Sequence, residues 1–294
     1  MATTGEDRED RVADELWGDE AALDLTVVVP YFNPGDRVRQ TIDELVRTLR
    51  QTPATFEVIA VSDGSTDGSE RSLAGLPPEV VRTVRLEHNS GKGEALRVGF
   101  TMGRGRFLGF IDADGDLPPA QVATLAAFAT AGVTGARDTA GVTGAAVTAG
   151  VTGAAGGPSN DPPDVVLGTK RHPESEVVYP PLRRLYSWLW QQAVRVLFRL
   201  QVRDTQTGLK LVRREVLADA LPRMLEKRFA FDLELLVVAR HLGHRRFVEV
   251  PVRIRQRFGS TVSVRAAVGM LLDLMAIWYR LHIRHWYDQP HRPA

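Results

Sequence analysis

Hydrophobic positions along the first half of the chain alternate between two periods. Residues 25–29 form an unbroken apolar and β-branched run ended by Pro30, the pattern of a strand buried on both faces. Residues 38–49 then place Val38, Ile42, Leu45, Val46 and Leu49 on one stripe at helical spacing. Strand-like runs return at 56–61, 81–86 and 106–111, with a helical segment at 94–102 between the last two. This alternation predicts an α/β fold, a doubly wound, mostly parallel sheet flanked by helices. Such sheets bind ligands beyond the carboxyl ends of their strands, so chemistry is expected in the residues just after each strand.

After a helix predicted over 118–130 the pattern changes. The hexapeptide Ala-Gly-Val-Thr-Gly-Ala begins at Ala131, Ala140 and Ala149. Three copies without a large apolar side chain cannot build a core, so 131–163 reads as a flexible insertion in a surface loop. The sheet resumes at 164–167. An amphipathic helix rich in Leu, Trp and Arg comes next at 181–200, then a short strand at 209–212, a helix at 231–241 and strands around 247–254. A helix at 262–284, aromatic and basic, closes the chain. The expected organisation is an acidic tail (1–24), a first binding half (25–130), the insertion (131–163), a second binding half (164–260) and an amphipathic C-terminal helix (261–294).

Composition changes this picture in three places. With no cysteine, disulfides, thiolate metal sites and a cysteine nucleophile are excluded, and any metal must be held by oxygen or imidazole. The formal net charge of +1 conceals an asymmetry: residues 1–24 carry nine acidic and two basic side chains, residues 161–294 carry 23 basic and 13 acidic. The second half therefore reads as a surface for anions, the alternative being a merely solvated basic face. The acidic N-terminus lacks the positive-then-apolar order of a secretion signal and is expected to be a disordered cytoplasmic tail. The most apolar stretch, 268–283, is broken by Asp273, Arg280 and His282, short of the ~18 apolar residues a spanning helix needs.

Three motifs carry candidate chemistry. Ser62-Asp63-Gly64-Ser65 ends the second strand, where a carboxylate can accept hydrogen bonds from a base or ribose and the glycine lets backbone approach a ligand; an Asx-type turn is the plain alternative. Asp112-Ala113-Asp114-Gly115-Asp116 comes directly after the fourth strand. Alternating carboxylates on extended backbone can converge on one hard divalent cation, which in turn can bridge two phosphates. A calcium loop fails on spacing, since Leu117 and Ala123 stand where that loop needs Gly and an acid. Asn89-Ser90-Gly91-Lys92-Gly93 opens a helix with a glycine-rich turn suited to phosphate, although its spacing is not that of a Walker loop.

Taken in this order, from about residue 25 to 254 apart from the insertion, the motifs resemble the family-two glycosyltransferases of the GT-A fold. The resemblance implies a nucleotide-sugar site in which Pro30, Tyr31 and Asp63 hold the nucleotide and Lys92 lies near it. It also implies Mg2+ or Mn2+ on Asp112 and Asp114, with Asp116 as a third ligand. Gly168-Thr169-Lys170-Arg171-His172-Pro173, Arg183-Arg184, Asp204-Thr205-Gln206-Thr207-Gly208-Leu209-Lys210 and Phe229-Ala230-Phe231-Asp232-Leu233-Glu234-Leu235 are similar to the polyprenyl-phosphate branch of that family. By that resemblance Arg171 and Arg184 grip the acceptor phosphate, Lys170 assists, Asp204 and Gln206 border the sugar, and Asp232 and Glu234 serve sugar recognition or base catalysis. Residues two apart on a helix do not share a face, so one of the last two is expected to point into the site.

The chemistry agrees with the charge distribution. A phosphate acceptor is already an anionic nucleophile and needs guanidinium groups for positioning more than it needs a strong base. The expected activity is inverting transfer of a hexose or N-acetylhexosamine from a UDP-sugar, a GDP-sugar being second choice, to polyprenyl phosphate at the cytoplasmic face of the membrane. Asp114, Arg171, Arg184 and Asp232 would be catalytic. The rival readings are a transferase with a water-soluble acceptor and an inactive nucleotide-sugar-binding regulator. No nucleic-acid module is recognised. Met270, Leu271, Leu274, Ile277, Trp278, Leu281 and Trp286, flanked by Arg280, Arg284 and His285, suit a helix at the bilayer interface, with core packing or a homodimer contact as the alternative.

Overall fold

A computed structural model describes residues 22–139, 162–170, 181–200, 202–228, 230–254 and 264–289, with backbone alone at 131–139, 181–187 and 264–268. Residues 1–21 of the predicted acidic tail lie outside these residues, as does most of the repeat insertion, while Leu23 and Asp24, expected in the tail, already belong to the first strand. The strands are β1 (Leu23–Tyr31), β2 (Phe56–Ser62), β3 (Val81–Arg85), β4 (Gly105–Ile111), β5 (Val165–Thr169), β6 (Leu209–Arg213) and β7 (Phe247–Pro251). They form one sheet in the order β3-β2-β1-β4-β6-β5-β7. β6 runs antiparallel to both its neighbours and every other pairing is parallel.

Strict alternation along the strands builds a core on each face of the sheet. Val27 and Val29 pack on one side with Val58 and Ala60, against α1 (Arg37–Leu49) and α4 (Ala120–Thr139). Val28, Ile59, Val61, Leu108 and Phe110 pack on the other, against α3 (Lys92–Thr101), α5 (Pro181–Phe198), α6 (Arg214–Ala220), α7 (Phe231–His241) and α8 (Val264–His282). A single turn, α2 (Ser69–Ser72), comes after β2. The chain winds β1-β2-β3 in one direction and then returns to place β4 on the other flank of β1. That reversal leaves a crevice at the strand ends, the position where open α/β sheets bind ligands.

Two expectations need correction. Pro30 does not end β1 but sits inside it, opposite Val61. Pairing of β1 with β4 stops at Val28, and the neighbouring Tyr31 carbonyl turns toward β2 to accept the Asp63 N–H, so the donor that proline lacks falls on the side where the ladder has ended. The helix expected to stop at residue 130 continues as α4 to Thr139, through the first repeat copy. Alanine favours helix strongly, and a helix already nucleated and packed on α1 propagates through scattered glycines at a cost of about 1 kcal/mol each.

Candidate active site

The carboxyl ends of β2 and β4 deliver Asp63 and Asp112 to one edge of the sheet. Because β6 is antiparallel, its start lies at that same edge: Leu209 pairs with Ile111, which brings Gln206 and Gly208 beside Asp112. A cavity of about 770 Å³ opens there, within the range of small-molecule sites. Pro30, Tyr31, Asp63, Lys92, Asp112, Asp114, Gln206 and Asp232 all line it. Residues from both halves of the chain thus converge as the motif order implied.

Asp63 is buried, and its two oxygens accept the N–H groups of Ser90 (2.7 Å) and Gly91 (2.9 Å), which ties the 88–91 turn over the end of β2. Gly64 permits this approach, since its φ is +69° and a methyl group there would sit 2.6 Å from the His88 carbonyl carbon. The glycines flanking Lys92 are explained by packing: side chains at Gly91 or Gly93 would collide with the backbone of Lys227, whose carbonyl accepts the Glu94 N–H at 3.2 Å. Beside them Tyr31 is almost fully buried, and burial together with the Glu70 carboxylate pushes its hydroxyl pKa up to about 12.

Under the cavity floor charges alternate in sign. Lys92 Nζ lies 2.6 Å from Asp112 Oδ1 and 3.8 Å from Asp232 Oδ2, and Lys210 Nζ lies 3.1 Å from Asp232 Oδ1. Phe110 offers its ring to both ammonium groups, at 4.7 Å from Lys92 and 5.2 Å from Lys210. Burial alone would depress the Lys92 pKa, but Asp112 and Asp232 outweigh it and hold the group above the ordinary lysine range. For Lys210, wholly enclosed, burial wins and the pKa is lowered. Its ammonium also donates to the Thr207 carbonyl at 2.6 Å, which anchors the loop carrying Gln206.

Asp114 reaches solvent through the cavity mouth, yet its pKa is raised by partial desolvation and then by the neighbouring carboxylates of Asp112 and Asp116. Two carboxylates at a cavity wall, of which Lys92 pairs with one oxygen of Asp112, are oxygen donors of the kind a hard divalent cation takes, so Asp112 and Asp114 fit the expected metal chemically. Asp116 does not line the cavity; its N–H donates to Asp114 Oδ1 at 3.0 Å and so positions that side chain. Among the described residues no three acids or histidines are gathered as a metal-binding group.

The second-half residues divide. Asp204 folds back on its own loop, accepting from Gln206 N–H (3.1 Å) and Thr207 hydroxyl (2.6 Å), and shapes the loop while Gln206 faces the cavity. Lys170 stands just past the carboxyl end of β5, at the same sheet edge, without lining the cavity. Arg171 lies outside the described residues; Arg184 belongs to α5, at a position whose side chain is likewise outside them. Glu234, expected at the acceptor, is a correction. It is completely buried on the face of α7 opposite Asp232 and all its bonds go to protein groups: Leu225 and Glu226 N–H, Arg280 and the Tyr287 hydroxyl. The helical period therefore admits one of the pair to the cavity, and it is Asp232.

Arg37, Arg228 and Met270 also line the cavity and carry no motif signal. Arg228 precedes a recognised motif, but only the crossing of residues 227 and 228 over Gly91 brings it to the site. Lys210 closes the Asp204–Lys210 motif, which by itself gives the lysine no role; its burial beneath Asp232 is a property of the antiparallel β6.

The sequence model described as Glycosyl transferase family 2 matches residues 26–145. A dolichyl-phosphate beta-glucosyltransferase of Drosophila melanogaster is 30% identical over 287 residues, covering 91% of this chain and 78% of the fly protein. The chain belongs to glycosyl transferase family 2. The human dolichyl-phosphate beta-glucosyltransferase is 29% identical over 248 residues, 81% of this chain and 67% of that protein. Solved structures of other glycosyltransferases share its GT-A fold. Mannosyl-3-phosphoglycerate synthase from Rubrobacter xylanophilus superimposes with a TM-score of 0.60 at 17% identity, over 97% of this chain and 80% of that one. Glucosyl-3-phosphoglycerate synthase from Mycobacterium tuberculosis, in complex with Mn2+, UDP and phosphoglyceric acid, gives 0.57 at 18%, over 90% and 82%.

Gly208 offers a direct test of Asp112. A methyl group at Gly208 would overlap the Asp112 carboxylate, which Lys92 holds from the other side. Gly208→Ala is expected to leave Tm within about 2 °C, because a short side chain at the cavity mouth is all that must move, and to lower transfer at least about tenfold by displacing Asp112. Wild-type turnover in the variant would remove Asp112 from the reaction.

Proposed function

We propose that the protein transfers a hexose from a UDP-sugar to a polyprenyl phosphate, with inversion, on a membrane surface. The observation that carries this reading is the convergence of Asp63, Lys92, Asp112, Asp114, Gln206 and Asp232 on one cavity at the strand ends, in a chain whose relatives by sequence include dolichyl-phosphate glucosyltransferases. Glucose, named in those relatives, is the first sugar to test.

Each wall of the cavity has a role in this reaction. Asp63 and Tyr31 border the nucleoside end; Lys92 and Arg228 present positive charge to the diphosphate. Asp112 and Asp114 would hold Mg2+ or Mn2+, which would screen the charge that develops on the leaving diphosphate. Asp232, fixed between Lys92 and Lys210, borders the sugar. The acceptor phosphate attacks the anomeric carbon as an anion, so its requirement is for positioning by cations, the role proposed for Lys170, Arg171 and Arg184.

The C-terminal helix supports the membrane part of the reading. Among the described residues no helix is long and apolar enough to cross a membrane. α8 buries Leu274 and Ile277 against the core but leaves Leu271, Met275 and Tyr279 exposed at four-residue intervals, and Ile283 in the turn just after it extends this apolar stripe. Met270, beside that stripe, lines the cavity. A bilayer against this face would place a lipid phosphate at the cavity mouth while its isoprenoid chain stays in the membrane.

The test is transfer of radiolabel from a panel of UDP- and GDP-sugars to polyprenyl phosphate in anionic vesicles. Chelator-sensitive label in the lipid is expected, together with co-sedimentation of the protein with vesicles that Leu271→Glu/Met275→Glu abolishes. Label found only in water-soluble products would replace this acceptor with a soluble one.

A further inference from the structure

Glu234, displaced from the acceptor site by the fold, sits where two parts of the molecule meet. Its Oε2 accepts the N–H groups of Leu225 (2.9 Å) and Glu226 (2.7 Å), and its Oε1 accepts from Arg280 (2.8 Å) and the Tyr287 hydroxyl (2.7 Å). The second guanidinium arm of Arg280 reaches Glu226 Oε1 at 2.8 Å. One guanidinium from α8 is thereby clamped between two carboxylates, the buried Glu234 and the partly buried Glu226, and Glu234 holds the backbone of the 225–226 segment.

That segment leads directly to the cavity. From α3, Arg97 donates to the carbonyls of Leu221 (2.7 Å) and Met224 (2.8 Å), and Glu94 N–H donates to the Lys227 carbonyl. The next residue, Arg228, lines the cavity with its side chain laid along Gly91, and no described group pairs with its guanidinium. The backbone from 224 to 227 is thus fastened at each residue, to α3 at its ends and to Glu234 in its middle. The charged side chain of this segment for which no partner is found among the described residues is Arg228, which lines the donor cavity. Buried polar networks of this kind fix a single geometry when all members are satisfied, and lose it when one is removed.

We propose that Arg228 binds the diphosphate of the nucleotide and that the Glu226–Arg280–Glu234 clamp is the device that positions it, so that α8 acts on donor binding through Arg228. Arg228 is a binding residue, whereas Arg280 and Glu234 touch no substrate and are positioning residues. This rests on the donor-site reading above. The chemistry recognised is a pyrophosphate oxygen, which guanidinium grips through paired N–H donors, and Lys92 on the adjacent turn supplies a second positive charge.

A double-mutant cycle read by calorimetric titration of the full chain with uridine diphosphate and Mn2+ tests it. Arg228→Gln is expected to weaken binding about tenfold, and Arg280→Gln several-fold at temperatures below its Tm. The double variant is expected to bind no worse than Arg228→Gln alone, because Arg280 has nothing left to position; independent contributions would instead multiply. Arg280→Lys keeps the charge but contacts one carboxylate at a time, and takes an intermediate affinity; should Arg280→Gln fail to fold, the same cycle run with Arg280→Lys decides. Multiplicative losses, or wild-type affinity in either single variant, overturn the proposal. A wild-type protein that binds no uridine diphosphate overturns the donor-site reading and this one with it.

Discussion

Asp114→Ala is expected to lower transfer by about 10²–10³-fold while leaving the fold intact. The side chain stands at the exposed mouth of the cavity and supports no core contact, so stability should change by no more than about 0.5 kcal/mol. Its value is electrostatic: partial desolvation, and then the neighbouring carboxylates of Asp112 and Asp116, raise the pKa of Asp114 against the opposing pull of Lys92, and a cation brought with the substrate would relieve that strain. Removing one such charge-stabilising partner from a transition state costs about 3–4 kcal/mol. A stopped assay with Mg2+ or Mn2+ at saturating donor would measure it. Turnover within tenfold of wild type would withdraw Asp114, and a metal held by it, from the proposed reaction.

Glu57→Ala is expected to be the most destabilising single change outside the two cores. Glu57 lies on β2 at the end of the sheet away from the cavity and is almost wholly buried. Burial would raise its pKa, but hydrogen bonds from Arg104 N–H (2.6 Å) and Thr26 hydroxyl (2.8 Å), and the guanidiniums of Arg104 and Arg82, overcome that and hold it below the ordinary range. Deleting the carboxylate leaves a buried hydroxyl, a backbone donor and two arginines without their acceptor, a loss of about 3–5 kcal/mol. Tm should fall by roughly 5–10 °C. Because the folded pKa is depressed, the stabilisation is present above the unfolded value of 4.5 and disappears as pH falls through the lower folded value. The gap between wild type and variant should therefore be full at neutral pH and narrow as pH falls below 4.5 toward the lower folded value. A gap independent of pH would mean that shape, not charge, is what Glu57 supplies.

The same structure explains why some residues of the site were legible in advance and others were not. Asp112 comes directly after an apolar run, Asp63 one serine after another and Asp114 two residues beyond Asp112, and a doubly wound sheet sends the residues at the ends of such runs to one edge. Asp232 was recognisable as half of a pair, and helical geometry limited the pair to one cavity-facing member. Glu234 shows the limit of that reasoning: a carboxylate in a motif looks the same whether it faces substrate or fastens a loop to a helix.

Local pattern in the sequence by itself determined the alternation of strand and helix, the burial of the strands on both faces, the absence of a spanning helix from the described part, and the acids at the strand ends. Each is written in the period of hydrophobic residues and in the polar residues that terminate each run. Tertiary structure decided the rest. β6 had to enter antiparallel before Lys210 could lie beneath Asp232 and before Gly208 could make room for Asp112. Residues 227 and 228 had to cross Gly91 before Arg228 reached the cavity, and α8 had to dock before Arg280 could join Glu226 to Glu234. The two arms of that clamp alone span 54 and 46 residues of chain. No period or spacing encodes such contacts, because their energy exists only once the chain has closed on itself.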